Sequence, residues 1–339
     1  MTKKQKPTLL LLTFTIIISV LSLSSLQNIK SASNLTLTLF AQEAYDITNP
    51  ITINGSLTQD GTPVTDALVS MQINNPRGNI HIMRVFTTGS TPPGPWPVEI
   101  VDFYLCDANG NPKTNFKPGG ALGYTITVKN NGASPQYVIV ILTFAYSNGL
   151  PFSVITAFNE TLEPSAIRTS FRYIYDFIPS NAPLGPAYAY AVAINNLTQY
   201  GGMAWCPERS TTFNITLSSG SLTLNGYQTA LLDSTPGTFS ITIKISDNGG
   251  RLGNYTIYAN TWYNLSYAQD TKIFKAFLRS DVNLDGTVDM ADISILIEKF
   301  MLTDDDPDWD PIYDLVEDGS IDMADISKAI DDYFLWGYY

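Results

Sequence analysis

Residues 118–132 read PGGALGYTITVKNNG, in which Tyr124, Ile126 and Val128 alternate with Thr125, Thr127 and Lys129 before the dipeptide Asn131-Gly132. Neighbouring side chains of a strand point to opposite faces, so this period of two marks a strand with one buried face. Asn-Gly then supplies the backbone freedom that a tight turn needs. The same grammar extends both ways along the chain. Leu35, Leu37 and Leu39 alternate with polar residues, as do Tyr188, Tyr190, Val192 and Ile194, and then Phe239, Ile241, Ile243 and Ile245. Asp60-Gly61, Asn109-Gly110, Asn148-Gly149 and Asn248-Gly249 punctuate these runs, and no helical stripe of useful length precedes residue 290. Short strands at this spacing predict a mainly β body, built as β-sandwiches, over residues 34–278.

The two ends of the chain read differently. Lys3, Lys4 and Lys6 precede an apolar run from Leu9 to Leu23, followed by the small residues Ser31, Ala32 and Ser33. This order is expected of a cleaved export signal over residues 1–32, the alternative being an uncleaved anchor. Either would take the rest of the protein out of the cytoplasm, to a secreted or cell-surface location. The net charge of −12 is uneven: residues 281–339 carry 17 acidic and 2 basic side chains, whereas residues 32–280 carry 14 and 13. Such an acidic block attracts cations or a basic partner and argues against nucleic acid. His81 is the single histidine, which excludes a histidine zinc centre and disfavours a His-dependent triad. Cys106 and Cys206 are the only cysteines, and in an oxidising compartment a disulfide between them is expected. Closing a loop of about 100 residues would restrain the unfolded chain by about 4.7 kcal/mol on the chain-entropy model. The alternative is two buried thiols.

Two resemblances organise the body. Residues 50–74, PITINGSLTQDGTPVTDALVSMQIN, resemble the opening strands of a macroglobulin-like immunoglobulin-type domain, with Pro63, Val64, Ala67 and Val69 on its Pro-Val-x-x-Ala-x-Val pattern. The closing pieces of that pattern come only at Gly237-Thr238-Phe239 and Gly253-Asn254-Tyr255. Residues 97–217 resemble a CARDB-type, cell-adhesion-related domain, through the opening stretch and LEPSAIRTSFRYIY at 162–175. The resemblances imply two immunoglobulin-like β-sandwiches, one inserted into the other. The outer one would be discontinuous, from 33–92 and 222–279, and the inner one would span 95–218. Pro92, Pro93, Pro95 and Pro97 would stiffen the outward crossing, and Ser218 to Ser221 would make the return. Three consecutive sandwiches are the alternative, although about 60 residues hold one only marginally.

The chemistry is concentrated at the C-terminal end. Residues 281–292 read DVNLDGTVDMAD, the spacing of a calcium loop. Asp281, Asn283 and Asp285 stand at positions 1, 3 and 5, Gly286 makes the turn, and Thr287 offers a carbonyl. Asp289 acts through water and Asp292 closes the shell. Thirty-three residues later DLVEDGSIDMAD repeats the pattern with Asp314, Asp318, Ser320, Asp322 and Asp325. Its position 3 is Val316, which has no oxygen, so this second site is expected to be weaker unless water or Glu317 fills the gap. After each loop a short helix is predicted, with Ile293, Leu296, Ile297 and Phe300 matching Ile326, Ala329, Ile330 and Tyr333 on facing apolar stripes.

Two loop-then-helix repeats, with no entering helix and with Asp at position 12, resemble a dockerin over residues 280–339. The spacer DDDPDWDPIYD at 304–314 is similar to the linker common in prokaryotic, especially archaeal, modules of that family. Leu284 departs from the family, where glycine is usual. The resemblance implies Ca2+ as cofactor, a cohesin-type domain as partner, and Met290-Ala291 and Met323-Ala324 as the contacts that choose it. The alternative is that the two methionines only cap a calcium-stabilised helix pair. By association, such modules often serve polysaccharide-degrading assemblies. The first expectation is therefore a non-catalytic, exported docking protein, without catalytic residues. A sandwich-fold glycoside hydrolase is the competing class and would need a pair among Glu160, Glu163, Asp176 and Glu208. A surface-layer structural protein is the third.

Overall fold

The computed structural model describes residues 34–90, 94–217, 228–229, 235–245, 250–335 and 337–338. The expected export signal, Pro92, Pro93 and the expected return at Ser218–Ser221 lie outside these residues. The described chain is mainly β, with several sheets and two α-helices.

Alternation builds the first two sheets. Sheet one runs β1 (Leu35–Phe40), β3 (Pro50–Gln59), β16 (Thr238–Lys244), with β4 (Thr62–Pro63) paired to β3. Sheet two runs β2 (Ala44–Asp46), β19 (Ser266–Phe277), β18 (Gly253–Tyr263), β5 (Leu68–Asn74), β6 (Ile80–Thr87). Leu39, Ile51, Ile53, Leu57 and Ile241 from sheet one share a core with Val69, Met71, Ile73, Ile257 and Phe274 from sheet two. Gly55 is fixed by its cross-strand partner Phe239, whose ring lies over it: a Cβ there would sit 2.0 Å from the ring.

A second core lies between two further sheets. Sheet three runs β12 (Ile167–Ile174), β9 (Leu122–Asn130), β7 (Val98–Cys106). Sheet four runs β11 (Pro151–Leu162), β10 (Gln136–Tyr146), β13 (Gly185–Ile194), β14 (Arg209–Ile215), β15 (Gln228–Thr229), with β8 (Asn115–Phe116) beside β14. Tyr124, Ile126 and Val128 of the opening stretch are fully buried against Val138, Val140, Leu142, Phe144 and Phe213. The two cores draw on different stretches of chain. The second is made from residues 98–215, whereas the first joins residues 35–86 to residues 239–288. The first is closed by antiparallel pairing of β3 with β16 and of β5 with β18.

A seam connects sheets two and four. Met83 and Val85 of β6 pack on Ile139 and Ile141 of β10 and on Val192 and Ile194 of β13. β10 is therefore apolar on both faces, which explains its unbroken run VIVIL. Around this patch the buried groups are polar and paired across the seam. Arg84 donates Nη2 to Glu208 Oε1 at 2.6 Å and Nε to Oε2 at 3.0 Å, and Glu208 Oε2 also accepts the Val85 amide. Asn260 Nδ2 donates to the carbonyls of Thr198 and Gly202 at 2.6 and 2.9 Å.

The expected disulfide is not formed: Cys106 and Cys206 are both free and buried. Cys206 hydrogen-bonds the backbone of Ile100, near the start of β7, whereas Cys106 ends that strand. Six residues of strand separate the two places, roughly 20 Å at 3.3 Å per residue. That is far beyond the Cα separation a disulfide can span. Burial pushes the Cys206 thiol up to about 12, as for an inert core cysteine.

Gly55→Ala drives a methyl group into the Phe239 ring. It should destabilise the protein by about 1–3 kcal/mol, read as a shift of the urea midpoint.

Candidate functional site

The C-terminal segment consists of two short helices, α1 (Met290–Glu298) and α2 (Met323–Asp331), each entered from a carboxylate-rich loop. The repeat of 33 residues holds down to single torsions. Gly286 and Gly319 have φ of 94° and 87°, Leu284 and Glu317 have 61° and 60°, and Met301 and Phe334 have 73° and 70°. Leu284 and Glu317 thus take the left-handed conformation that usually falls to glycine, which costs about 1–2 kcal/mol each.

Carboxylates hold each loop in shape through backbone amides. Asp281 accepts from the amides of Asp285 and Gly286 at 3.0 and 2.9 Å, and Asp314 does the same for Asp318 and Gly319 at 3.2 and 2.9 Å. Asp292 takes the Asn283 and Asp289 amides, and Asp325 takes those of Val316 and Asp322. Asp289 and Asp322 cap the helices by accepting the amides of Ala291 and Ala324, completing a capping box in both repeats. Asp285 Oδ1 accepts the Thr287 amide, and Asp318 Oδ1 accepts the Ser320 amide. Asp281, Asp292, Asp314 and Asp325 are buried. Burial pushes the Asp281 carboxyl above its ordinary range, and the charge of Asp292 adds to the effect, while the Gly286 amide pulls it back.

The donor set suits a hard divalent cation. In the first loop every ligand position offers oxygen, and buried carboxylates of like charge lie close together. The second loop is one donor short. Val316 is at position 3, and Glu317 does not compensate, because its carboxylate pairs with Arg279 Nη1 at 2.8 Å. Among the described residues, no three His, Cys, Asp or Glu side chains converge as a metal-binding group.

The helix pair buries a smaller stripe than the periodicity predicts. Ile293 and Leu296 meet Ile326 and Ala329, with Val282 and Leu315, in one small core. Ile297 and Ile330, expected on this stripe, are instead 56% and 54% exposed. At about 100° per residue Ile297 stands within about 20° of Met290, so it joins the methionine's face. The same holds one repeat later. Met290, Ile297 and Met301 correspond to Met323, Ile330 and Phe334, and all six are exposed. Phe300, also expected inside, is 38% exposed.

The segment is fastened to the β body. Val288 lies in the first core with Leu335 packed beside it, and these two residues share a backbone hydrogen bond. β20 (Gly337–Tyr338) pairs with β17 (Gly250–Arg251). Arg279, just past β19, donates to the carbonyls of Leu315 and Asp314 at 3.1 and 2.8 Å. Sequence reasoning missed Arg279, since nothing in its local pattern signals a contact 36 residues away.

The carboxylates considered for hydrolysis are otherwise engaged or scattered. Glu208 is held by Arg84, and Glu160 pairs with Arg168 at 2.7 Å. Glu163 and Asp176 are exposed in turns. His81 packs edge-on to Tyr255, and burial pulls its pKa down to about 4.

Removing the Arg279 side chain should release the second loop alone. Arg279→Ala is expected to speed amide exchange at Gly319 and Ser320 roughly tenfold, at about 1–1.5 kcal/mol for lost hydrogen bonds. The matching amides of Gly286 and Thr287 should not change.

No protein-family model matches the chain, and no curated protein does. Solved structures match it in part. A Pseudomonas fluorescens alkylpurine DNA glycosylase, AlkC, shares 15% identity at a TM-score of 0.26, over 36% of this chain and 31% of its own. The C-terminal domain of wzt shares 13% at 0.31, over 42% and 84%. A Paenibacillus sp. cycloisomaltooligosaccharide glucanotransferase shares 12% at 0.27, over 35% and 14%. The chain thus spans about a third of the glycosylase, and likeness this slight assigns neither fold family nor function.

Proposed function

We propose that this is an exported, non-catalytic protein that docks through a calcium-dependent, dockerin-type module onto a cohesin-type domain of a partner. Its body is two immunoglobulin-like β-sandwiches, the second inserted into the first, acting as spacer or ligand-binding units. The pairing of β3 with β16 and of β5 with β18 supports the insertion, because each sheet of the first core is completed by strands from beyond residue 235.

One observation carries the docking reading: the exposed apolar pair Met290 and Ile297 on the first helix recurs as Met323 and Ile330 on the second, with Met301 and Phe334 exposed just past the helix ends. An unpartnered apolar face of this kind marks an interaction surface. Its duplication gives a partner two near-equivalent ways to sit. Asp281, Asn283, Asp285, Thr287, Asp289 and Asp292 would hold the first calcium ion, and Asp314, Asp318, Ser320, Asp322 and Asp325 a second, weaker one. Bound calcium supplies positive charge that offsets the crowding of buried carboxylates and so stabilises the module.

Calorimetric titration of the chain with calcium chloride should resolve one tight site and one weaker site. Asp292→Ala should remove the tight one and Asp325→Ala the weaker, while a flat trace from the unsubstituted chain sinks the calcium reading. Docking is tested by capture of a cohesin domain from the same secretome. Met290→Asp or Met323→Asp alone should leave capture within about threefold, because the other repeat still serves. The double variant should abolish it, and full capture by the double variant would reassign both methionines to capping.

A further inference from the structure

The groove between the two cores, walled by three tryptophans, points to a use that the docking module does not supply: we propose that it binds a neutral oligosaccharide. Its volume is about 440 Å³, within the usual range for a small-molecule site. Trp96 stands two residues before β7, Trp205 follows β13, and Trp262 lies near the end of β18. Among the described residues there are four tryptophans, and three of them line this one groove. Trp262 is 51% exposed although two apolar cores lie alongside. Trp96 and Trp205 are partly buried against the second core, which fixes their rings, whereas Trp262 presents a large exposed ring to the concavity, as binding surfaces do.

The polar groups there select among ligands. Tyr263 hydrogen-bonds the Asp66 carboxylate, which has further lone pairs for hydroxyl donors. Asn195 Oδ1 accepts the Met203 amide at 2.8 Å, which leaves its NH2 group to donate. The Trp205 ring is pinned by its Nε1–H, which donates to the Tyr137 carbonyl at 3.0 Å. A pyranose matches this set. Its C–H faces lie against aromatic rings, and its vicinal hydroxyls both donate and accept. Among the described residues no Lys or Arg lines the groove, and Asp66 repels anions, so the sugar is neutral. A proline-rich peptide also suits aromatic grooves, but it offers few donors for a carboxylate.

The walls are fixed before any ligand arrives. Asn260 and Ser70 of sheet two both bind the Gly202 carbonyl, one residue before the groove residue Met203. A site held across the seam in this way loses little entropy on binding.

The test is affinity electrophoresis of the full chain in gels cast with glucomannan, xyloglucan, mixed-linkage β-glucan or xylan, paired with tryptophan fluorescence. Retardation and a fluorescence shift are expected with at least one of them. Trp262→Ala should weaken retardation roughly tenfold, Trp262→Tyr should keep most of it, and Asp66→Asn should lie between. Unchanged circular dichroism shows that each variant folds. EDTA should leave retardation unchanged, since no calcium-loop residue lines the groove, and the outcome is therefore separate from that of the calcium titration. Absence of retardation in all four gels, or retardation indifferent to Trp262→Ala, overturns the proposal. Binding of an oligoproline decapeptide in place of every polysaccharide would overturn it too and assign the groove to peptides.

Discussion

The first core depends on an appointment kept late in the chain. β3 and β5 offer unpaired edges until β16 and β18 arrive, more than 180 residues further on. Loop-closure entropy grows only slowly with length, but a long floppy segment between the two halves would still make their meeting slow. The intervening stretch solves this by folding on a core of its own, so that β7 and β14 begin and end a compact body. The two halves of the first core are then separated by a folded body rather than by a long random coil.

The seam shows how two cores can adhere without fusing into one. An all-apolar contact would have let sheets two and four slide over one another. Instead the apolar patch of Met83, Val85, Ile139 and Ile141 is small, and beside it sit Arg84 with Glu208 and the Asn260 amide, each with directional partners. Buried ion pairs add little net stability because desolvation offsets attraction, whereas leaving one partner alone is costly. Any other register would strand Arg84 or Glu208 in the interior. Here the pair acts as a key for alignment, and Arg84 also stacks 3.5 Å from the centre of the Tyr190 ring.

Much of this was legible in the sequence, and the failures have physical causes. Alternation identified β1, β9 and β16, and the position of the two carboxylate loops followed from ligand spacing alone. In β13 it marked the seam face of Val192 and Ile194, whereas the small residues Ala187, Ala189, Ala191 and Ala193 opposite fill the second core. The run VIVIL in β10 carries no alternation, since both its faces are covered. Ile297 and Ile330 were placed inside because a helical stripe was read as wide; a nine-residue helix against a single partner covers less. The cysteine pairing failed because sequence distance says nothing about which end of a shared strand each thiol meets. The tryptophan groove has no local signature at all. Its walls come from residues 66, 96, 195, 205 and 262, and only the fold assembles them.

The attachment of the C-terminal segment has a mechanical side. Arg279 follows β19 directly, grips the second loop, and is backed by Val288 in the first core. The segment is therefore bolted to its body and does not swing on a leash. A pull applied at the helices passes into β19, which is hydrogen-bonded along its full length to β18. A pull along the axis of β19 would load those bonds together in shear, since antiparallel bonds run across the strands. An object gripped at the helices would hold the tryptophan groove at a set bearing, as a bracket holds a lamp.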